Sequence, residues 1–230
     1  MRILVIDDTP LHQESARQTL GGHDVTIVGT YDEAEKLLKI PNAPEDAVYE
    51  ELKNRGFKVP WHKDTTEEEA VAARAEYAVI KDELRPLPFD AVLTDLLMPA
   101  GERDMAGEGL KFVGQEMPVG FALSLMAVVH GAKFVAVATD AGHHDHPASA
   151  MFDNFGSRCP NEDGMYARTT SFVMNGAEVR YYHSPMMFVD GTTCTHCDGT
   201  SSKEKWCHPC RSTGKQSGKD WGSVIAHLTT

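Results

Sequence analysis

Short apolar runs that end in aspartate are the feature that most restricts the fold of this chain. Residues 2–7 read Arg-Ile-Leu-Val-Ile-Asp, and residues 89–95 read Phe-Asp-Ala-Val-Leu-Thr-Asp. An apolar run of this length, followed by helical sequence, is typical of a strand buried on both faces in a parallel sheet. Residues 24–28, 133–139 and 178–182 have a similar character. The alternation of such strands with helical segments predicts an α/β fold with helices on both faces.

Polar side chains stand where three of these strands end. Asp7 and Asp8 follow the first strand, Asp95 ends the third and Thr139 ends the fourth. In an open parallel sheet the ligand site lies at the carboxyl ends of the strands. Because neighbouring carboxylates repel one another, we expect this site to bind a hard divalent cation. The simpler alternative is that each aspartate only caps a helix.

The motifs ILVIDD, FDAVLTDLLMP and VAVAT resemble those of the receiver domain of two-component response regulators. The similar segments cover roughly half of the chain. The resemblance implies a doubly wound, five-stranded parallel sheet of flavodoxin-like order 2-1-3-4-5. It implies Mg²⁺ held by Asp7, Asp8, Asp95 and the backbone carbonyl of Leu97. It also implies that Asp95 accepts a phosphoryl group from a sensor histidine kinase and that Thr139 binds the phosphoryl oxygens.

Two positions depart from that family. The family has a lysine just before a proline after its fifth strand, whereas here Ser184 precedes Pro185 and His183 stands before both. The residue after the family's threonine is usually small, but here it is Asp140, a fourth carboxylate. The missing lysine and the added acid favour one alternative, a pseudo-receiver that never takes a phosphoryl group and serves as an interaction module.

A histidine-rich stretch follows, with His143, His144 and His146. Such stretches can bind transition metals, although a solvated polar loop is the simpler interpretation. If these histidines join the aspartates, a metal-dependent hydrolase or phosphatase becomes the second alternative. We favour the signalling function, without enzyme activity, because no separate nucleophile stands out in the sequence.

Two Cys-x-x-Cys pairs form the second strong motif, Cys194 with Cys197 and Cys207 with Cys210. They resemble the zinc-binding repeats of the DnaJ chaperone family and, more loosely, zinc ribbons. Four thiolates match a closed tetrahedral site, so we expect a structural Zn²⁺ with no open position. A redox-active dithiol pair is the alternative. Cys159 stands apart, and we expect it to be an ordinary thiol.

These segments predict a single receiver-like domain at 1–230 with three insertions. In chain order they are a charged pair of helices at 41–88, a His-rich loop and hairpin at 140–177, and the zinc-binding segment at 190–218. The turn of the hairpin is Asn175-Gly176, the strongest short hairpin signal. The zinc-binding segment lies between the last strand and a closing helix, which we predict at 219–228.

Charge and hydropathy limit the partners. The formal net charge is -12, which disfavours nucleic acid and anionic membrane surfaces. We expect no cleavable signal sequence, because a predicted strand begins at residue 2, and the apolar stretch at 119–132 is too short to span a bilayer. We therefore expect a cytoplasmic protein. Because no helix-turn-helix or other output domain follows, it is expected to act by binding an unknown protein partner.

Overall fold

The computed structural model describes residues 1–39, 43–85, 89–103, 105–140, 146–151, 154, 157–158, 169–183, 186–201, 207, 210 and 212–230. Its elements, in chain order, are β1 (Arg2–Ile6), α1 (Pro10–Thr19), β2 (Asp24–Val28), α2 (Tyr31–Leu38), α3 (Glu45–Asn54), α4 (Glu67–Glu83), β3 (Ala91–Asp95), β4 (Met98–Pro99), a 3₁₀ helix (Gly107–Phe112), β5 (Glu116–Met117), α5 (Val119–Val129), β6 (Phe134–Thr139), α6 (Pro147–Met151), β7 (Ser157–Arg158), β8 (Thr169–Met174), β9 (Ala177–His183), β10 (Met186–Thr193), β11 (Lys215–Lys219) and α7 (Trp221–Leu228). They fall into two compact units: Met1–Leu38 with Phe89–Thr230, and Lys39–Pro88.

The first unit is built on a seven-stranded sheet of order β2-β1-β3-β6-β9-β8-β7. The strands from β2 to β9 pair in parallel, and β8 and β7 extend the sheet antiparallel. The prediction of an α/β fold with a mostly parallel sheet is confirmed. The sheet exceeds the expected five strands because the hairpin turn at Asn175 and Gly176 folds β8 back beside β9. Both turn residues have positive φ, as a type I′ turn requires.

Helices cover both faces of this sheet. In β1, Leu4 and Ile6 belong to a buried cluster with residues of α2 and α5. Ile3 and Val5 point the other way and belong to a buried cluster with residues of α1 and α7. Burial on both faces explains why the strand sequence is continuously apolar rather than alternating. Because both faces are covered, polar side chains lie at the carboxyl edge of the sheet, where β1, β3 and β6 end together.

β10 and β11 form a separate two-stranded antiparallel sheet. The prediction of a closing helix at 219–228 is wrong at its start, because Lys219 ends β11 and α7 begins at Trp221. Asp220 sets the boundary by accepting a hydrogen bond of 2.9 Å from the Ser223 N–H at the helix N-terminus.

The second unit contains the two helices that the sequence predicts within 41–88, α3 and α4. Val48, Leu52 and Ile80 are buried in its own small core. Thr66 begins α4 with a reciprocal capping box to Glu69, which satisfies two of the free N–H groups at that end.

Among the helices of the described residues, none has both the length and the apolar character required to cross a bilayer.

Candidate functional site

Three carboxylates meet at the carboxyl edge of the main sheet. Asp7, Asp8 and Asp95 each offer an oxygen, and these oxygens lie within 4.8 Å of one another. β1 and β3 are neighbouring parallel strands, so their ends bring Asp7 and Asp95 to the same point. An octahedral Mg²⁺ with Mg–O distances of about 2.1 Å needs oxygens about 3.0 Å apart at adjacent positions and about 4.2 Å apart at opposite ones. The three carboxylates therefore fit a hard divalent cation.

A buried lysine completes the cluster. Lys219 Nζ lies 2.7 Å from Asp7 Oδ2 and 2.9 Å from Asp95 Oδ1. Burial disfavours the charged form of the lysine, but the Asp7 and Asp95 carboxylates outweigh that effect and raise the pKa of Lys219. The side chain is therefore an ammonium. Three carboxylates and one ammonium leave two negative charges, which one divalent cation would neutralise.

Lys219 corrects the expectation that the site has no lysine. The sequence comparison looked for a lysine directly after the fifth parallel strand, but Lys219 lies much later in the chain. β9 ends at His183, and the chain then leaves the sheet through β10 and the four-cysteine segment. β11 returns it to the carboxyl edge and brings Lys219 into the cluster. Ser184 and Pro185, the positions compared with the family, lie outside the described residues.

Asp95 is held by its own backbone and by the lysine. Its Oδ1 accepts a hydrogen bond of 2.7 Å from the Leu96 N–H and contacts the Lys219 ammonium. Within the part of the chain that the structure describes, both hydrogen bonds of this carboxylate go to Oδ1, and none goes to Oδ2. Burial raises the pKa of Asp95 to about 6, against the opposing effect of Lys219. Asp95 is therefore mostly ionised at neutral pH, with one oxygen available to a ligand.

The first turn of α5 packs directly on this strand end. A Cβ on Gly120 would lie 1.7 Å from the Asp95 carbonyl oxygen, so any larger residue would push the helix away. The Gly120 N–H donates a hydrogen bond of 3.1 Å to the Leu96 carbonyl. The loop after β3 is therefore fixed by the helix, which positions the Asp95 side chain.

A cleft of about 410 Å³ leads to the cluster. It is lined by Asp8, Thr9, Asp95, Leu97, Pro99, Gly114, Glu116 and Asp140. Leu97 thus lies beside the carboxylates, where the resemblance places a backbone ligand.

Burial and the adjacent Asp7 raise the pKa of Asp8. Glu116, at the start of β5, adds an acid that no sequence motif predicted. Thr139 is buried at the end of β6, one residue before Asp140.

Asp140 forms a hydrogen bond with a buried histidine of α1. His12 Nε2 lies 3.4 Å from Asp140 Oδ2, and only 2% of the His12 side chain is exposed. The hydrogen bond from His12 lowers the pKa of Asp140 to about 2. Asp140 therefore carries a full negative charge at neutral pH. A single histidine in an amphipathic helix has no sequence signature, so His12 could not be predicted.

In the histidine-rich stretch, the described residue His146 makes a local hydrogen bond at the start of α6. His146 Nδ1 accepts a hydrogen bond of 3.1 Å from the Ala148 N–H at the start of α6. His143 and His144 lie outside the described residues. Among the residues that are described, two groups have metal-binding geometry, the acidic cluster and the four cysteines, and no histidine belongs to either.

The four cysteines form the second cluster. The sulfur atoms lie within 4.8 Å of one another, with 4.0 Å between Cys194 and Cys207 and 3.7 Å between Cys197 and Cys210. Tetrahedral zinc with Zn–S distances of about 2.3 Å requires sulfur atoms about 3.8 Å apart. All four side chains are free thiols. The cluster can therefore hold a metal ion such as zinc.

Tight turns shape this cluster. Gly199 and Gly214 each have a φ of +72°, and a Cβ on Gly214 would lie 3.0 Å from the Gly199 carbonyl oxygen. The Cys194 N–H donates a hydrogen bond of 2.8 Å to the Gly214 carbonyl, which closes the end of the β10–β11 ribbon. Ser201 Oγ lies 3.4 Å from Cys210 Sγ. Cys159 lies outside the described residues.

No protein-family model matches this chain, and neither a curated protein nor a solved structure matches it.

Proposed function

We propose that this chain is a phosphoryl-accepting receiver of two-component signalling. Asp95 is the acceptor, and Asp7, Asp8, Asp95 and the backbone carbonyl of Leu97 bind Mg²⁺. The observation that carries this proposal is the Lys219 ammonium, buried between Asp7 and Asp95. A phosphoryl donor brings negative charge to a site of carboxylates. A fixed cation next to the nucleophile favours the transition state because it needs no rearrangement as charge develops.

The order of the parallel strands supports the same proposal. Without the antiparallel β8 and β7, the sheet reads β2-β1-β3-β6-β9. This corresponds to the receiver order 2-1-3-4-5. The strand order reverses between β1 and β3, which is the point where ligands bind in open parallel sheets. Asp7 directly follows β1, and Asp95 ends β3.

In the proposed reaction, an Asp95 oxygen attacks the phosphorus of a phosphohistidine on a sensor kinase. An O–P bond forms as the N–P bond breaks. The departing imidazole nitrogen keeps the electron pair of the N–P bond and takes a proton from solvent water. The product is an acyl phosphate on Asp95. Lys219 and the Leu96 N–H hold Oδ1, which orients the Asp95 carboxylate for the attack. Bound Mg²⁺ would neutralise the phosphoryl oxygens. Thr139 would bind one of them.

A pseudo-receiver is the second candidate, and Asp140 is the observation that favours it. Its ionised carboxylate lines the cleft that a phosphoryl group would enter. Repulsion between the two would oppose phosphorylation. The hydrogen bond to His12 holds the Asp140 carboxylate toward α1, which supports the phosphoryl-accepting function instead.

At the four-cysteine cluster we propose a structural Zn²⁺. Four thiolate ligands fill a tetrahedral site and leave no position for a substrate. Deprotonated thiolates bind the metal, so folding of this segment depends on the ion. With no enzymatic role at either cluster, the protein would signal by binding a protein partner whose affinity depends on the state of Asp95.

Phosphorylation by acetyl phosphate with Mg²⁺, followed by intact mass, tests the proposed function. Wild type is expected to gain one phosphoryl group, and Asp95→Asn is expected to gain none. Asp90→Asn is the matched control, because Asp90 lies just before the same strand at its opposite end and pairs with Arg2. If the folded, zinc-loaded wild type takes no phosphoryl group, the pseudo-receiver replaces this proposal.

A further inference from the structure

The lysine of the acidic site comes from a strand outside the main sheet. Within the described residues, β11 pairs with β10 alone. No strand of the main sheet therefore fixes the position of Lys219 by backbone hydrogen bonds. A buried ammonium that must reach two carboxylates needs another source of precise positioning, because lysine side chains have large rotamer freedom.

Helix α1 supplies that positioning through side chains. His12 Nδ1 accepts a hydrogen bond of 3.2 Å from the Lys219 N–H. The Ser15 hydroxyl donates to the Lys219 carbonyl. Both backbone groups of Lys219 are therefore held by one helix. These partners replace the ladder hydrogen bonds that a strand of the main sheet would provide.

Close packing holds β11 against the same helix. A Cβ on Gly218 would lie 2.9 Å from Ser15 Cβ and 2.5 Å from Val189 Cγ2. The strand therefore approaches α1 as closely as glycine allows. The Trp221 indole N–H also donates a hydrogen bond of 3.1 Å to the His12 carbonyl, which fixes the chain just after Lys219.

The hydrogen bonds of His12 define its tautomer. Because Nδ1 accepts the Lys219 N–H, the imidazole proton is on Nε2, and Nε2 faces Asp140 Oδ2 at 3.4 Å. The neutral His12 ring thus links Lys219 of β11 to Asp140, the residue that follows β6.

We propose that His12 is a positioning residue that holds Lys219 in the acidic site through its Nδ1 atom. The part of this proposal that concerns catalysis rests on the proposed function. The part that concerns the placement of Lys219 does not.

Two conservative variants separate the two sides of the ring. In His12→Asn, the side-chain oxygen can occupy the place of Nδ1 and still accept the Lys219 N–H. In His12→Gln, the side chain can reach the place of Nε2 and Asp140, but it leaves the Lys219 N–H without its acceptor. We expect phosphorylation of Asp95 to slow about tenfold in His12→Gln, and less than about twofold in His12→Asn. His227→Gln is the control, since His227 contacts Tyr182 away from this site.

The direct measurement is the ammonium signal of Lys219 in the NMR spectrum of ¹⁵N-lysine-labelled, zinc-loaded full-length protein. A buried, paired ammonium exchanges slowly and gives a resolved signal, which Lys219→Met identifies by its loss. The signal is expected to persist in His12→Asn and in His227→Gln and to shift or vanish in His12→Gln.

An unchanged signal in folded His12→Gln, or loss of the signal in both His12 variants alike, overturns the positioning role. If wild type takes no phosphoryl group while the signal still depends on Nδ1, the proposed function fails and the positioning role stands. The Gly218→Ala variant gives a second check. By separating β11 from α1 it should disturb the same signal without touching His12.

Discussion

The two clusters that have metal-binding geometry are built in opposite ways. The four-cysteine cluster comes from two short motifs, and turns at Gly199 and Gly214 follow the two motifs. The acidic cluster comes from three distant places in the sequence, the ends of β1, β3 and β11. It exists only when the main sheet and the β10–β11 ribbon are both folded. The first cluster is therefore a local structure, and the second is a product of the tertiary fold.

This difference extends to the balance of charge. In the proposed zinc site, the metal ion would offset the repulsion between four adjacent thiolates. The acidic cluster already holds a cation, because Lys219 neutralises part of its charge. We therefore expect metal removal to unfold the cysteine segment locally but to leave the acidic cluster assembled.

The largest expected effect is the loss of the cysteine-bound metal. Cys210→Ser removes a buried ligand, and apparent binding energies of structural zinc in small domains are about 10–16 kcal/mol. The metal content is expected to fall from one ion per chain to nearly none, and proteolysis is expected to begin within 194–214. Elemental analysis and limited proteolysis measure both changes.

Cys159→Ser is the control for this prediction, since we predict that Cys159 is not a ligand. It is expected to retain one metal ion per chain. If Cys210→Ser retained its metal, the four-cysteine assignment would be wrong.

The same contrast explains what the sequence could and could not predict. Two Cys-x-x-Cys pairs and the strand-end aspartates are local patterns, so the structure brings together the residues that those patterns indicated. Lys219 was missed because residues 184–218 separate it from β9 and because β11, with sequence Lys-Gln-Ser-Gly-Lys, has no apolar residue. Lys219, at the end of this strand, is buried beside the Asp7 and Asp95 carboxylates that neutralise it.

The second effect tests how far the acidic cluster depends on its lysine. Lys219→Met keeps the volume but leaves Asp7 and Asp95 buried without a cation. Removal of one partner from a buried ion pair typically destabilises a protein by about 3–5 kcal/mol. We expect a loss of this size in urea unfolding without Mg²⁺. Saturating Mg²⁺ is expected to recover part of it, because binding to the folded state alone adds stability.

Lys215→Met is the matched control at the other end of the same strand. Lys215 is half-exposed and pairs with Asp190 on the surface, so its loss is expected to change stability by less than about 1 kcal/mol. Equal losses in the two variants would show that Lys219 is not specially stabilised by the acidic cluster.

A smaller effect is expected where α5 meets the acidic cluster. Gly120→Ala places a methyl group against the Asp95 carbonyl, and overpacking of this kind typically destabilises by about 1–3 kcal/mol. Gly21→Ala is the control, since a Cβ there has no neighbour within 4 Å. Thermal unfolding of both variants measures the difference. Retention of one zinc per chain in Gly120→Ala is expected, because the cysteine segment is built locally.

The smallest expected effect is the dependence of Mg²⁺ binding on pH. Burial raises the pKa of Asp95 to about 6, so its contribution to the stability of the metal-free protein is present below the ordinary carboxyl pKa and is lost as pH rises through about 6. Mg²⁺ binds the ionised form and competes with that proton. Its affinity, measured by calorimetry, is therefore expected to be about tenfold weaker at pH 5 than at pH 7. In Asp95→Asn the weaker remaining binding should lose the part of this dependence that Asp95 contributes. A flat profile in wild type would mean that Asp95 is not a ligand, and the acidic cluster would then be a buried ion pair rather than a metal site.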